Sequence, residues 1–152
     1  MKNNLFLDLI FPRRCTVCDA VLPLGRREIC EECKKRVEYL DGSVCFKCGK
    51  PVKADEEYCY DCRTKEHYFI SGAAVFSYEY IRLSLYRFKY SGRQEYASFY
   101  GRHMAVVMRE KRKQWMPDAL IPVPLHKSKM KKRGYNQAEL IAKELGRHWD
   151  AT

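Results

Sequence analysis

The chain has 152 residues and carries 29 Lys/Arg against 19 Asp/Glu, a formal net charge of +10. That length suits one ordinary domain or two small ones. No stretch approaches the roughly 20 apolar residues of a membrane-crossing helix, so insertion into a bilayer by that route is excluded. The charge is uneven. Residues 1–70 hold 13 Lys/Arg and 12 Asp/Glu, whereas residues 71–152 hold 16 and 7. A basic C-terminal part points to an anionic partner such as nucleic acid or phosphate, and a solvated basic surface is the competing reading.

In chain order, the first feature is the apolar run from Leu5 to Phe11, interrupted by Asp8 and followed by Pro12 and two arginines. It lacks a small-residue cleavage site and reads as a short helix over residues 1–12 that docks its apolar face, not as an export signal. Cytoplasmic residence, with reduced thiols, is the expectation.

All eight cysteines follow in four Cys-x-x-Cys pairs: Cys15/Cys18, Cys30/Cys33, Cys45/Cys48 and Cys59/Cys62, separated by 11, 11 and 10 residues. Each pair aims two thiolates at one point, and two pairs complete a tetrahedral sulfur shell around zinc. Residues 13–66 are thus expected to form a double zinc ribbon holding two zinc ions. A disulfide framework or a set of redox pairs is the alternative, and the first of these needs an exported chain. The module is poor in large aliphatic residues, so metal must stand in for a core and folding must be coupled to zinc binding. Sequential pairing of neighbouring motifs is favoured over an interleaved cross-brace, because an 11-residue gap suits one hairpin closing on itself. Residues 30–37 read as a knuckle opening into a short helix.

From residue 67 the character changes. Residues 68–70 and 73–78 are rich in aromatic and small apolar residues and read as strands. Residues 81–90 are helical in pattern, with Ile81, Leu85 and Phe88 on one face and Ser91-Gly92 ending the helix. Residues 95–114 are the longest helix candidate, with Tyr96, Tyr100, His103, Met104, Val107 and Met108 on its apolar stripe. A packed core role for His103 is favoured over a ligand role. Residues 119–123 read as a buried strand stopped by Pro122 and Pro124. A basic loop, 126–133, holds five Lys/Arg in eight positions, and a helix over residues 136–149 follows, opened by Asn136 and Glu139 as a capping box. Strand, loop and helix in this order open a βαβ unit. The fold class expected for residues 67–152 is therefore an incomplete α/β parallel-sheet domain, and the chain reads as a fragment. A basic loop running into a helix N-terminus makes a plausible phosphate site.

Pro122-Val123-Pro124-Leu125-His126, then Arg133-Gly134-Tyr135-Asn136-Gln137-Ala138 and Leu140-Ile141-Ala142, set behind the cysteine array and Phe88-Lys89-Tyr90-Ser91-Gly92, resemble the signature of the ComF family. These are competence-associated proteins related to the GntX group and to amidophosphoribosyltransferases. The resemblance covers nearly the whole chain. It implies a type I phosphoribosyltransferase-like domain behind the ribbon, binding phosphoribosyl pyrophosphate with magnesium. It also implies ligand contacts at Lys89, Arg133, Gly134, Asn136 and Gln137. A role in DNA uptake and natural transformation, with single-stranded DNA and uptake proteins as partners, is implied too. The alternatives are a phosphoribosyltransferase of nucleotide metabolism and a zinc-ribbon interaction module. The family's Asp-Asp…Thr-Thr-Gly loop is absent from these 152 residues, so phosphoribosyl transfer is not expected of the chain as it stands.

Overall fold

The computed structural model describes residues 10–25, 28–40 and 42–149. The helix expected over residues 1–12 lies almost wholly outside them. Among the described residues the order is α1 (Glu31–Lys35), α2 (Tyr60–Thr64), α3 (Tyr78–Tyr90), α4 (Tyr96–Val107), α5 (Arg109–Trp115), α6 (Lys127–Arg133) and α7 (Gln137–Trp149).

The N-terminal part is one knuckle used twice. In the first, Arg14 bridges Val21, and the Cys15 amide donates to the Ala20 carbonyl at 2.8 Å. In the second, Val44 bridges Pro51, and the Cys45 amide donates to the Lys50 carbonyl at 2.8 Å. Each turn needs a left-handed residue one place after its second cysteine, supplied by Asp19 (φ 66°) and Gly49 (φ 74°). Glycine is obligatory in the second case for another reason. A Cβ on Gly49 would lie 2.7 Å from the Ala73 Cα. The later cysteine pairs sit on short helices: Cys30 caps α1, its sulfur accepting the Cys33 amide, and Cys59 stands at the N-cap position of α2.

The C-terminal part is helical, and its core is largely aromatic. Phe88, Tyr96 and Phe99 are fully buried, and Phe76, Tyr100, Tyr135, Leu145 and Trp149 join the same cluster. Phe76 and Phe99 stack at 5.5 Å, and Phe88 and Tyr100 at 5.6 Å. The hydroxyls that this packing buries find partners, as buried polar groups must. Tyr100 bonds Ser84 at 2.5 Å, and Tyr135 donates to the Phe88 carbonyl. His103 is packed in this aromatic surround, 4.2 Å from the Phe99 ring centroid, with its Nδ1 bonded to the Tyr39 hydroxyl. Burial holds its pKa below the usual imidazole value.

α4 and α7 form the main helix pair, and Gly101 lets them approach. A Cβ there would sit 2.4 Å from the Glu144 Cβ and 3.0 Å from the Leu145 amide nitrogen. Gly101→Ala is expected to pry the pair apart and cost about 1–3 kcal/mol, the usual range for overpacking. Urea unfolding at fixed zinc concentration measures it.

The parallel-sheet domain expected for residues 67–152 is not what the chain builds. Among the described residues only isolated bridges occur, one of them joining Tyr39 to Phe76. The segments read as strands find no ladder, and residues 68–70 bend. Tyr68 and Ile70 are 99% and 93% exposed, and Ile121 and Val123 are 89% and 76% exposed. Pro122 and Pro124 remove two amide donors from the second segment. The Val123 carbonyl takes its bond from the Asn136 side chain at 3.0 Å, not from a neighbouring strand. The run expected to be a basic loop is largely helix, α6. The helix expected over 95–114 is two, broken at Met108 (φ −91°, ψ 16°), and Met116 in a left-handed conformation ends the second just before Pro117. α3 extends one turn earlier than its apolar stripe suggested, starting at Tyr78.

Candidate metal centres and basic groove

The two knuckles gather the eight cysteines into two sets, Cys15, Cys18, Cys30 and Cys33 in one and Cys45, Cys48, Cys59 and Cys62 in the other. Within each set the sulfur atoms all lie within 4.8 Å of one another. These are the sequential sets, not interleaved ones. A tetrahedral zinc–thiolate site with bonds of about 2.3 Å requires sulfurs about 3.8 Å apart. Cys18 and Cys30 are 3.8 Å apart, and Cys48 and Cys59 are 3.7 Å apart. Both sets therefore fit a zinc ion in spacing, ligand number and chemistry.

Without a metal the thiols of each set are unequal. Burial works against ionising Cys45, but the backbone N–H groups of Cys59, Cys48 and Lys47 outweigh it and bring its pKa down to about 6. Burial and the neighbouring thiols push Cys62 up to about 12. The first set repeats the pattern, with Cys15 lowered by backbone N–H groups against its burial and Cys33 raised by burial. Only a cation's charge makes four thiolates stable together in one shell.

The first centre is tied into the helical core. Tyr80 on α3 donates to the Cys33 carbonyl at 2.8 Å, and Arg87 on the same helix donates to the Val17 carbonyl at 3.3 Å. The buried Tyr96 hydroxyl donates to Asp19 Oδ1 at 2.6 Å, with the Cys15 carbonyl 3.3 Å away. Arg93 pairs with the same carboxylate at 3.3 Å, and Ser98 donates to Glu28 at 2.7 Å. Asp19 was not singled out from the sequence. Its signal was there in the repeat, since it occupies the place that glycine takes in the second knuckle. Asp19→Gly keeps the backbone conformation and removes the carboxylate. It should cost about 1–3 kcal/mol, by leaving the Tyr96 hydroxyl only its longer contact to the Cys15 carbonyl and taking from Arg93 its nearer carboxylate, with two zinc ions per chain retained. Metal analysis and a thermal melt on the same sample check both halves.

On the far side of α3 from this centre lies a groove of about 750 Å³, lined by Tyr86, Lys89, Tyr90, Gly92, Lys132 and Arg133. The turn after α3 and the end of α6 meet here, which brings together Lys89 and Arg133, 44 positions apart in sequence. Arg133 lies over the Tyr90 ring at 4.8 Å and donates to the Tyr90 hydroxyl at 3.1 Å and to Gln137 Oε1 at 2.9 Å. A guanidinium held on an aromatic face and by two acceptors is fixed in direction before any ligand arrives. Neither it nor Lys89, Lys127, Lys129, Lys131 or Lys132 meets a carboxylate among the described residues, so the charge is uncompensated.

The other three residues of the expected ligand set stand behind the groove. Gly134 (φ 78°) ends α6 in a left-handed conformation, with its amide donating to the Met130 carbonyl at 2.8 Å. Asn136 is buried and accepts the Ala138 amide at 3.0 Å, so it caps α7 while tying down Val123. Gln137 is buried and positions Arg133. Tyr90, which stacks on Arg133, is a groove residue beyond the expected ligand set.

Comparison with known proteins agrees with the N-terminal ribbon. Residues 6–63 match the double zinc ribbon domain family. The chain is 26% identical over 144 residues to competence protein F of Haemophilus influenzae, covering 92% of this chain and 62% of that protein. It is 30% identical over 151 residues to the DNA utilization protein YhgH of Escherichia coli, covering 94% and 66%. It is 28% identical over 130 residues to competence protein ComFC of Bacillus subtilis, covering 79% and 52%. The chain thus spans less than two thirds of the first of these relatives and about two thirds of the second. No solved structure matches it. A double zinc ribbon joined to the Lys89 and Arg133 segments, over a length shared with competence and DNA utilization proteins, places the chain in the ComF family.

Proposed function

We propose that this chain is the zinc-ribbon and strand-gripping part of a DNA-uptake protein. It holds single-stranded DNA by the phosphates in the groove between Lys89 and Arg133. The observation that carries this reading is the convergence of unpaired cations on an aromatic surface, with Arg133 oriented by Tyr90 and Gln137. Cations contact phosphate and aromatic faces take bases, the combination that single-strand binding uses. The names of the relatives, competence and DNA utilization proteins, support the same process. The zinc centres act as structural elements in this reading. Thiolates kept reduced for zinc suit a cytoplasmic site, and no described helix is long and apolar enough to cross a membrane. Partners among DNA-uptake proteins belong to the same reading.

Phosphoribosyl pyrophosphate with magnesium is the second ligand to test, because its phosphates would meet the same two cations in a cavity of suitable size. Transfer chemistry is not part of the proposal. Filter binding of labelled oligo(dT) across a salt series tests the main reading. A log–log dependence with a slope of about −0.7 per phosphate contact is expected. Salt-independent or absent binding overturns it. Displacement by phosphoribosyl pyrophosphate at low concentration would favour the second ligand.

A further inference from the structure

The exposed face of α3 repeats one chemical pattern along its length. Tyr78, Arg82, Tyr86 and Tyr90 follow at four-residue steps, and such steps share a helix face. All three tyrosines are exposed, at 65%, 60% and 54%. The opposite face is the one that folds the protein, through buried Ile81, Ser84 and Phe88. The tyrosines are therefore not needed for the core. Tyr86 and Tyr90 lie 5.0 Å apart, tilted by 47°. A second cavity, of about 380 Å³, runs along this face between Tyr78, Arg82, Leu83, Tyr86 and Lys89. It shares Tyr86, Lys89 and Tyr90 with the groove, so the two lie side by side along α3. The single acid on the helix, Glu79, stands at its first turn.

We infer that this face is a base-stacking track that continues the groove, with one strand of nucleic acid as its occupant. The inference rests on the strand-gripping reading and gives it a direction and a length. Phosphates are held at Lys132, Arg133 and Lys89, and bases then stack along Tyr90, Tyr86 and Tyr78, with Arg82 meeting the backbone between them. From Tyr90 to Tyr78 a helix rises about 18 Å. The choice of occupant follows from charge. A row of rings interleaved with unpaired cations suits a polyanion whose bases carry exposed π-faces, and every base stacks tolerably.

The test uses the full chain with oligo(dT) of about 4 and about 12 nucleotides, followed by fluorescence anisotropy. Tyr78→Ala and Tyr86→Ala should each weaken binding of the longer oligomer about ten-fold. The loss should be smaller on the shorter one, and Tyr86→Phe should restore binding. The salt slope should stay as in the wild type for the tyrosine variants and fall by about 0.7 for Arg82→Ala. Wild-type affinity in both tyrosine variants, alongside weakened binding in Lys89→Ala, would overturn the track and leave the groove standing. Loss of self-association in the tyrosine variants with DNA affinity unchanged would overturn it in favour of a contact between copies of the chain. No binding by the wild-type chain would overturn both readings.

Discussion

Cys33→Ser will remove one of the two zinc ions and destabilise the helical core, whereas Cys48→Ser will remove the other ion and leave that core largely in place. The two centres are alike in their sulfurs but not in their surroundings. The carbonyl of the buried Cys33 accepts from Tyr80 on α3, and its neighbours Val17 and Ile29 pack against the aromatic cluster. Asp19, Thr16 and Glu28 add polar ties around the same knuckle. The second centre meets the rest of the chain mainly through the close approach of Gly49 to Ala73 and of Gly72 to Cys48. Structural zinc in small ribbons is worth about 10–16 kcal/mol of apparent binding energy. A domain's whole stability is about 5–15 kcal/mol. Losing the first ion should therefore cost most of the cooperative transition. Metal content per chain, with far-UV circular dichroism through a melt, separates the two variants. Equal losses of helix signal would show that the first centre is not the one built into the core.

Lys89→Ala combined with Arg133→Ala will weaken single-stranded DNA binding about 100-fold at moderate salt and flatten the salt dependence by about 1.4. Both changes are at polar groove positions, and neither removes a residue of the aromatic cluster. Arg133→Lys is the informative partner. It keeps the charge but loses the planar fork that spans Gln137 and the Tyr90 hydroxyl. It should retain the salt slope while losing part of the affinity. An unchanged slope in the double variant would mean that these cations do not meet phosphate.

The metal centres were the most legible part of the sequence. Ligand type and spacing fix the local geometry, because a knuckle is closed by two or three backbone bonds within a few residues. Helices α3, α4 and α7 were legible for a similar reason, since their apolar stripes recur at three- and four-residue steps. That no sheet forms among the described residues was not legible, because a strand is defined by its neighbour. Residues 119–123 have a strand's composition, yet with Ile121 and Val123 turned to solvent and two prolines in the run no described residue pairs with them as a strand. The basic stretch at 126–133 hid a helix, because repeated lysines look like a solvated loop although they are good helix formers. His126 opens it by accepting the Ser128 amide, and Gly134 closes it. The groove was half legible. Lys89 and Arg133 were named from a resemblance. Their meeting, and the part played by Tyr90 between them, depends on how α3 and α6 pack. Gly101 gave no sign at all, since only the approach of α7 shows why a side chain cannot stand there.

Photo-crosslinking oligo(dT) to the zinc-loaded chain, followed by peptide mapping, tests most directly whether the strand lies in the groove. Crosslinks are expected at Tyr86 and Tyr90 on α3 and in the peptide carrying Lys132 and Arg133, competed away by unlabelled single strand. Crosslinks confined to the zinc knuckles, residues 13–64, would contradict it.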